Sequence, residues 1–251
     1  MEKKIKIRLS KKFSLYGKFN GSFDKPLFIV VHGLPGDMDE EFYHSAVRWF
    51  GKRGFSTFRF NLYGYQKDAR QLMDCTLKIH GSDLDTVVNY FRKRGVKKVF
   101  VAGHSFGGLT ILSSRNQDFE GVALWDPSYK ISFKKKAYGF KGGKYIKEVD
   151  GYLMREGINI IIGKALADEI DLFPWDSISR DFKVPLKIII AGKGLLKGAK
   201  KYINGKTKAE KKLMIIKAAT HYFNDQEGMQ EKVFKASEGW FRKFMNIKNE
   251  R

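Results

Sequence analysis

Strand-length segments rich in apolar residues recur along the chain and alternate with segments of helical periodicity. The apolar segments lie at residues 27–31, 55–60, 99–102, 121–125, 184–192 and 213–216. Nearly continuous apolar character is typical of parallel strands that are covered on both faces. Residues 83–94 carry apolar side chains at helical spacing, which predicts a helix that packs on such a sheet. The alternation predicts an α/β fold with a mostly parallel central sheet flanked by helices.

The N-terminal part of the chain has a different pattern. Residues 5–9 alternate charged and aliphatic side chains, and residues 13–19 form a second such segment that ends at the turn signal Asn20-Gly21. We expect these two segments to pair as an antiparallel edge of the sheet. The acidic residues 37–41 predict the start of a helix that stops near Gly54, and residues 72–81 are predicted to form a loop.

Residues 127–181 interrupt the α/β alternation and predict an inserted segment. Residues 144–156 favour a hairpin that turns at Asp150-Gly151. The segment is too aromatic for a disordered loop, with Tyr138, Phe140, Tyr145, Tyr152 and Trp175. The predicted organisation is therefore a core of residues 1–126 and 182–251, with residues 127–181 as an insertion. The C-terminal segment predicts an amphipathic helix whose aromatic residues are core contacts.

Candidate chemistry appears where the strand at residues 99–102 runs into Gly103-His104-Ser105-Phe106-Gly107, followed by Gly108. Strand, Gly-x-Ser-x-Gly and helix in this order are the context of a nucleophile elbow. The turn is so tight that side chains at Gly103 and Gly107 would collide with neighbouring backbone. The pattern predicts Ser105 as a nucleophile held in strained backbone geometry at the end of the strand.

Two further segments end strands of the same sheet. The strand at residues 27–31 closes on His32-Gly33-Leu34, and the last strand is followed by a loop that contains His221. The chain resembles the α/β-hydrolase superfamily over essentially its whole length, and within it the small lidded serine esterases of the cinnamoyl esterase and monoacylglycerol lipase types. The resemblance implies that His221 is the general base and that the backbone N–H groups of Leu34 and Phe106 form the oxyanion hole. It also implies that the insertion after the sixth strand is a lid.

The acid of the catalytic triad is missing from its usual place. Relatives carry it just after the strand that here ends at Ala191-Gly192, but Gly194 occupies the expected position and the next acid is Glu210. The first hypothesis is Asp126, at the end of the preceding strand, although an Asp before a Pro is also a common turn residue. A second hypothesis places the acid at Asp168, Asp171 or Asp225. A third is that there is no acid, which leaves a slow dyad or a pseudoenzyme.

Composition limits the function less than the motifs do. The formal net charge is +21, but the lysines are scattered and no nucleic-acid-binding motif accompanies them, so we expect a solvated basic surface rather than a specific nucleic-acid partner. A single cysteine, Cys75, excludes an intrachain disulfide, and no apolar signal segment or membrane span is apparent. We therefore expect a cytoplasmic protein without membrane insertion. The histidines and the cysteine lack metal-ligand spacing, so no metal is predicted.

These observations predict a serine hydrolase that cleaves carboxylic esters of small molecules and needs no cofactor. A serine nucleophile argues against the dehalogenase and epoxide-hydrolase branches, which use a carboxylate. A thioesterase, an amidase or a small-peptide peptidase could use the same residues. The competing hypothesis is a non-catalytic binding protein on a hydrolase scaffold, and binding to nucleic acid or an anionic surface is a weaker third. The sequence sets neither the substrate nor the oligomeric state.

Overall fold

A computed structural model describes residues 2–137, 141–156, 158–194, 197–204 and 209–245. Tyr138 and Phe140 of the predicted aromatic insertion, and Leu195 and Leu196 after Gly194, lie outside the described residues. No helix in the described part of the chain is long and apolar enough to cross a membrane.

The main sheet has eight strands in the described residues. These are β1 (Lys3–Arg8), β2 (Ser14–Asn20), β3 (Leu27–Val31), β4 (Ser56–Phe60), β5 (Val99–His104), β6 (Gly121–Trp125), β10 (Leu186–Ala191) and β11 (Lys211–Ile216). Their order across the sheet is β1-β2-β4-β3-β5-β6-β10-β11. β1 and β2 pair antiparallel, β2 is antiparallel to β4, and all other pairs are parallel. The predicted parallel sheet with an antiparallel edge is therefore confirmed.

Helices cover both faces of this sheet. They are α1 (Glu41–Gly51), α2 (Leu77–Arg92), α3 (Phe106–Leu112) and α5 (Met229–Met245). Alternate residues of a strand serve opposite faces: Ile29 joins the apolar cluster under α2 and α3, whereas Phe28 joins the cluster under α1 and α5. Because both clusters are extensive, the strands read as nearly continuous apolar runs. The aromatic residues of α5 belong to the second cluster, as predicted.

One predicted helix start is confirmed and another is wrong. α1 begins at Glu41, within the segment of residues 37–41 that predicts its start. α2 begins at Leu77, within the predicted loop. Its cap is the side chain of Thr76, which accepts a hydrogen bond from the Ile79 N–H. A second cap comes from the distant Glu169, whose carboxylate accepts a 2.5 Å hydrogen bond from the Leu77 N–H, and no local pattern could indicate this contact.

Between β6 and β10 the chain forms a small separate sheet. Its strands are β7 (Lys144–Ile146), β8 (Gly151–Glu156) and β9 (Ile158–Gly163), all antiparallel, and helix α4 (Lys164–Asp171) follows. The turn between β7 and β8 ends at Asp150, which has a left-handed backbone, φ 45°. The insertion packs on the core through buried residues of α4, and Glu169 joins it to the start of α2.

Candidate active site

The candidate residues lie together at the carboxyl ends of the parallel strands of the main sheet. Strands β3, β5 and β6 lie side by side, and each is followed directly by a candidate segment: the His32-Gly33-Leu34 loop, the Ser105 turn and Asp126. The Ser105 N–H donates to the carbonyl of Trp125 at 3.0 Å, which ties the ends of β5 and β6 together. Ligands of open parallel sheets generally bind in the crevice outside the carboxyl ends of the strands, and the topology brings the candidate segments together at that position.

Ser105 occupies a strained turn between β5 and α3. Its backbone angles are φ 52° and ψ −117°, outside the regions that a residue with a side chain ordinarily adopts. The glycines make the turn possible, as predicted. A Cβ at Gly103 would lie 2.6 Å from the backbone of Gly107, and a Cβ at Gly107 would lie 2.3 Å from the carbonyl oxygen of Val31. The geometry is that of a nucleophile elbow.

His221 contacts Asp126 directly. The distance between His221 Nδ1 and Asp126 Oδ2 is 2.7 Å, across 95 residues of sequence. The Asp126 carboxylate is fully buried, whereas the His221 side chain is about one third exposed, at 34%. The other carboxylate oxygen, Oδ1, accepts a 3.0 Å hydrogen bond from the N–H of Ala191 at the end of β10. Both oxygens of Asp126 are thus fixed, and one of them orients the imidazole.

Gly194 lies beside this pair rather than contributing to it. A Cβ at Gly194 would be 2.9 Å from Asp126 Oδ2. The carboxylate that enters from the end of β6 therefore occupies the space into which a side chain at position 194 would project. The absence of an acid after β10 and the presence of Asp126 after β6 are two aspects of one packing arrangement.

The other carboxylates considered from the sequence have different partners. Asp168 pairs with Lys134 and Lys164, and Asp171 accepts a 2.7 Å hydrogen bond from the Ser132 hydroxyl. Asp225 accepts a 2.6 Å hydrogen bond from the N–H of Thr220 in the His221 loop. Among these candidates, only Asp126 has a hydrogen bond to the His221 side chain.

The two amides expected to bind an oxyanion lie at the ends of adjacent strands. Within the part of the chain that the structure describes, neither the Leu34 N–H nor the Phe106 N–H donates a hydrogen bond. The loop after β3 lies against the elbow, since a Cβ at Gly33 would be 3.1 Å from Ser105 Cβ. Amides without an intramolecular acceptor are available to a developing negative charge.

The His32 side chain connects the loop after β3 to the end of β4. Its Nε2 accepts a 3.0 Å hydrogen bond from the Leu62 N–H, so its Nδ1–H donates to the Gly33 carbonyl at 2.7 Å. Burial lowers the pKa of His32 to about 4, which keeps the ring neutral. Asn61, which follows β4, accepts a 2.8 Å hydrogen bond from the Met38 N–H.

Sequence reasoning missed two residues at the site. Ser128 donates its N–H to the Ser105 carbonyl at 3.1 Å, and the two serine hydroxyls are 3.5 Å apart. The sequence signal that could have identified Ser128 is its position, two residues after Asp126. Tyr43 lies on α1 and reaches the Gly33 N–H with its hydroxyl at 2.8 Å. Its helical spacing predicts a core residue and gives no hint of this polar contact.

Glu40 and Tyr222 are titratable groups on the rim of the site. Burial is the main cause that raises the pKa of the Glu40 carboxyl above its usual value. Burial, followed by the charge of Glu40, raises the pKa of Tyr222 to about 12, so its hydroxyl stays protonated at neutral pH. Both residues also line an open groove of about 960 Å³ between α1 and α5. Ser105 is not among the residues that line this groove, so we do not assign it as the acyl pocket.

The described ranges contain no group of three or more His, Cys, Asp and Glu side chains that could hold a metal ion. Cys75 is buried, and burial raises the pKa of its thiol to about 12. A thiol with so high a pKa carries almost no thiolate at neutral pH, so Cys75 behaves as a small apolar residue.

Comparison with known proteins identifies the same fold. The sequence matches the family model described as serine aminopeptidase, S33, over residues 24–156, slightly more than half of the chain. None of the curated proteins compared with the chain matches it.

Several solved structures match almost the whole chain. Est1E from Butyrivibrio proteoclasticus, with bound ferulic acid, has a TM-score of 0.77 and 18% identity, covering 97% of this chain and 100% of that chain. The Pyrococcus furiosus esterase Pf2001 has a TM-score of 0.71 and 18% identity, with coverages of 98% and 93%. The Paleococcus ferrophilus monoacylglycerol lipase has a TM-score of 0.69 and 18% identity, with coverages of 91% and 98%. At these identities the likeness shows the fold, and the predicted α/β-hydrolase fold is confirmed.

Proposed function

This chain belongs to the serine aminopeptidase, S33, family of hydrolases, and we propose that it is a serine hydrolase that cleaves carboxylic esters through an acyl-enzyme on Ser105. The observation that carries the proposal is the 2.7 Å contact between His221 Nδ1 and the buried Asp126 carboxylate, at the same sheet edge as the strained Ser105 turn. A buried carboxylate that holds an imidazole beside a serine elbow is the constellation of acyl transfer.

Each group has one role in the proposed mechanism. Ser105 Oγ attacks the acyl carbon while His221 Nε2 takes the hydroxyl proton. The proton then passes from His221 to the departing alcohol, and the acyl group stays on Ser105. A water molecule then attacks this ester and gives a proton to His221, and His221 returns that proton to Ser105 Oγ as the acid is released. Asp126 keeps the proton of the neutral ring on Nδ1 and stabilises the imidazolium that forms in each half-reaction.

The oxyanion of each tetrahedral intermediate is bound by the amides of Leu34 and Phe106. Neither amide has a hydrogen-bond acceptor in the described part of the chain. Two such donors act most strongly where water is excluded, because a low local dielectric strengthens a charge-assisted hydrogen bond. We assign the exclusion of water to the insertion as a lid, since its Phe133 ring lies 6.3 Å, centroid to centroid, from the ring of Phe106.

The ester class is supported by the solved structures with the same fold, which include an esterase and a monoacylglycerol lipase. The family description instead names an aminopeptidase, and peptides, amides and thioesters can react with the same residues. A panel of p-nitrophenyl esters, an acyl thioester and an aminoacyl anilide separates these classes. We expect the highest kcat/KM for the esters, and a higher value for the anilide would replace the ester assignment.

The nucleophile is tested by incubation with a fluorophosphonate, followed by intact-mass measurement. The proposal predicts one stoichiometric adduct on the wild type and none on Ser105→Ala. Ser128→Ala is the matched control because its hydroxyl lies 3.5 Å from that of Ser105, yet the proposal gives it no nucleophilic role. It should retain the adduct. A folded wild-type protein that stays unlabelled would refute the enzymatic proposal and favour a non-catalytic binding protein.

A further inference from the structure

A buried chain of hydrogen bonds connects the three loops of the proposed site. Tyr43 and His104, both almost completely buried, are its central members. The Gly33 N–H donates to the Tyr43 hydroxyl at 2.8 Å, and this hydroxyl lies 3.0 Å from His104 Nδ1. On its other side, His104 Nε2 lies 2.9 Å from the backbone carbonyl oxygen of His221. The chain begins next to Leu34 and ends on the proposed general base.

The partners fix the position of every proton in this chain. The His221 carbonyl can only accept, so His104 Nε2 carries a proton and donates it. The Tyr43 hydroxyl already accepts from the Gly33 N–H, so it donates its own proton to His104 Nδ1. Burial lowers the pKa of His104 well below its usual value, and the nearby His221 lowers it further. Burial also raises the pKa of Tyr43 well above its usual value, so both groups remain neutral.

Neither side chain is placed to act directly on a substrate, because both are buried. His104 is adjacent to Ser105, but both of its ring nitrogens are occupied by Tyr43 and the His221 carbonyl, so it cannot take the serine proton. The buried His104 ring packs against the ring of His221, with 4.4 Å between the ring centroids. The Tyr43 hydroxyl is enclosed and cannot reach a substrate.

We propose that Tyr43 and His104 are positioning residues that hold the oxyanion loop and the general-base loop in one fixed geometry around the Ser105 turn. The inference rests on the proposed function, because it assigns what aligns the catalytic groups. Displacement of a catalytic group by about 1 Å can cost about a hundredfold in rate. A brace that joins both loops is therefore expected to act on kcat and to leave substrate affinity nearly unchanged.

The test uses Tyr43→Phe, which removes one hydroxyl and keeps the ring. With p-nitrophenyl butyrate, we expect kcat to fall by about tenfold or more and KM to change by less than about threefold. Fluorophosphonate labelling should slow by a similar factor. His104→Leu should lose at least as much, whereas His104→Gln should recover part of the rate because its amide offers one acceptor and one donor.

Tyr16→Phe is the matched control. It removes a hydroxyl on β2 that donates to Asp68, outside the hydrogen-bond chain of Tyr43 and His104, and its kcat should equal that of the wild type. The ring nitrogen chemical shifts of His104 provide a readout that does not depend on turnover. They should show protonation at Nε2 and not at Nδ1 in the wild type.

The outcomes separate the two proposals. A wild type that does not react with the fluorophosphonate overturns the proposed function and this inference with it. A reactive wild type with Tyr43→Phe within about twofold of its kcat overturns the inference alone. So does a His104→Gln rate no higher than that of His104→Leu, since the loss would then come from packing, and so does an Nδ1-protonated His104 ring.

Discussion

The most informative single perturbation of the site is Asp126→Asn. The Asp126 Oδ1 accepts a hydrogen bond from the Ala191 N–H, and Oδ2 faces His221 Nδ1. An Asn at this position keeps its oxygen on the Ala191 amide, because that N–H requires an acceptor. Its NH₂ group then faces His221 Nδ1 and donates to it. The imidazole is forced into the tautomer with its proton on Nε2, which can no longer accept the proton of Ser105.

The expected magnitude follows from this change of tautomer. The same exchange of Asp for Asn in the serine protease triad lowers kcat by about 10⁴-fold with the geometry intact. At about 1.36 kcal/mol per tenfold change, the loss corresponds to about 5.5 kcal/mol of transition-state stabilisation. We expect KM to remain within a fewfold, because the carboxylate is buried and does not contact substrate. The fold should survive, since Asp126 has φ 40° and Asn tolerates a left-handed backbone.

The assay is kcat for p-nitrophenyl butyrate together with the rate constant of fluorophosphonate labelling. Asp171→Asn is the control, because this carboxylate was a candidate from the sequence but accepts a hydrogen bond from Ser132 instead. It should behave as the wild type. If Asp126→Asn keeps more than about a tenth of the wild-type kcat, or if Asp171→Asn loses as much, Asp126 is not the acid of the triad.

Three further predictions test the surroundings of the site. Gly194→Ala should lower kcat about tenfold, because the methyl group would lie 2.9 Å from Asp126 Oδ2; unchanged kinetics would contradict the assigned pair. Gly107→Ala should reduce the free energy of unfolding in urea by about 3 kcal/mol, because its Cβ would lie 2.3 Å from a β3 carbonyl oxygen. The control is Gly239→Ala, whose Cβ would have no atom within 4 Å and which should not reduce the free energy of unfolding. The buried, neutral His32 should make the folded protein less stable as the pH falls, because the unfolded chain takes up a proton on this ring more readily. Its pKa is about 4 in the folded protein and about 6.5 when unfolded, so the stability present above about pH 6.5 is lost as the pH falls towards 4. Between about pH 7 and about pH 5, the free energy of unfolding of the wild type in urea should fall by about 2 kcal/mol more than that of His32→Asn. Equal decreases would contradict a neutral, buried His32.

Sequence patterns predicted the strands and the elbow because both depend on local rules. A strand buried on both faces needs apolar residues throughout, and β3 shows this directly in the sequence. The Ser105 turn needs a glycine at position 103 because the backbone of Gly107, within the same turn, leaves no room for a Cβ there. The glycine at position 107 is required by the carbonyl oxygen of Val31 on the adjacent strand β3, although the same local motif contains it. The start of α2 was misplaced although its cap Thr76 is adjacent in the sequence, and its second cap, Glu169, lies 92 residues away where no local pattern indicates it.

The motifs identified candidates for the nucleophile and the base, but they left open whether an acid was present and which residue it was. Four aspartates remained as candidates for the acid: Asp126, Asp168, Asp171 and Asp225. Gly194, at the expected position of the acid, also left open the hypothesis that there is no acid. Only the tertiary structure places one carboxylate on His221, because β6, β10 and β11 lie in that order and bring their ends together. The position of Asp126 at the end of a strand made it the first hypothesis, but its contact with a histidine 95 residues away depends on how the strands pack, which local sequence does not specify.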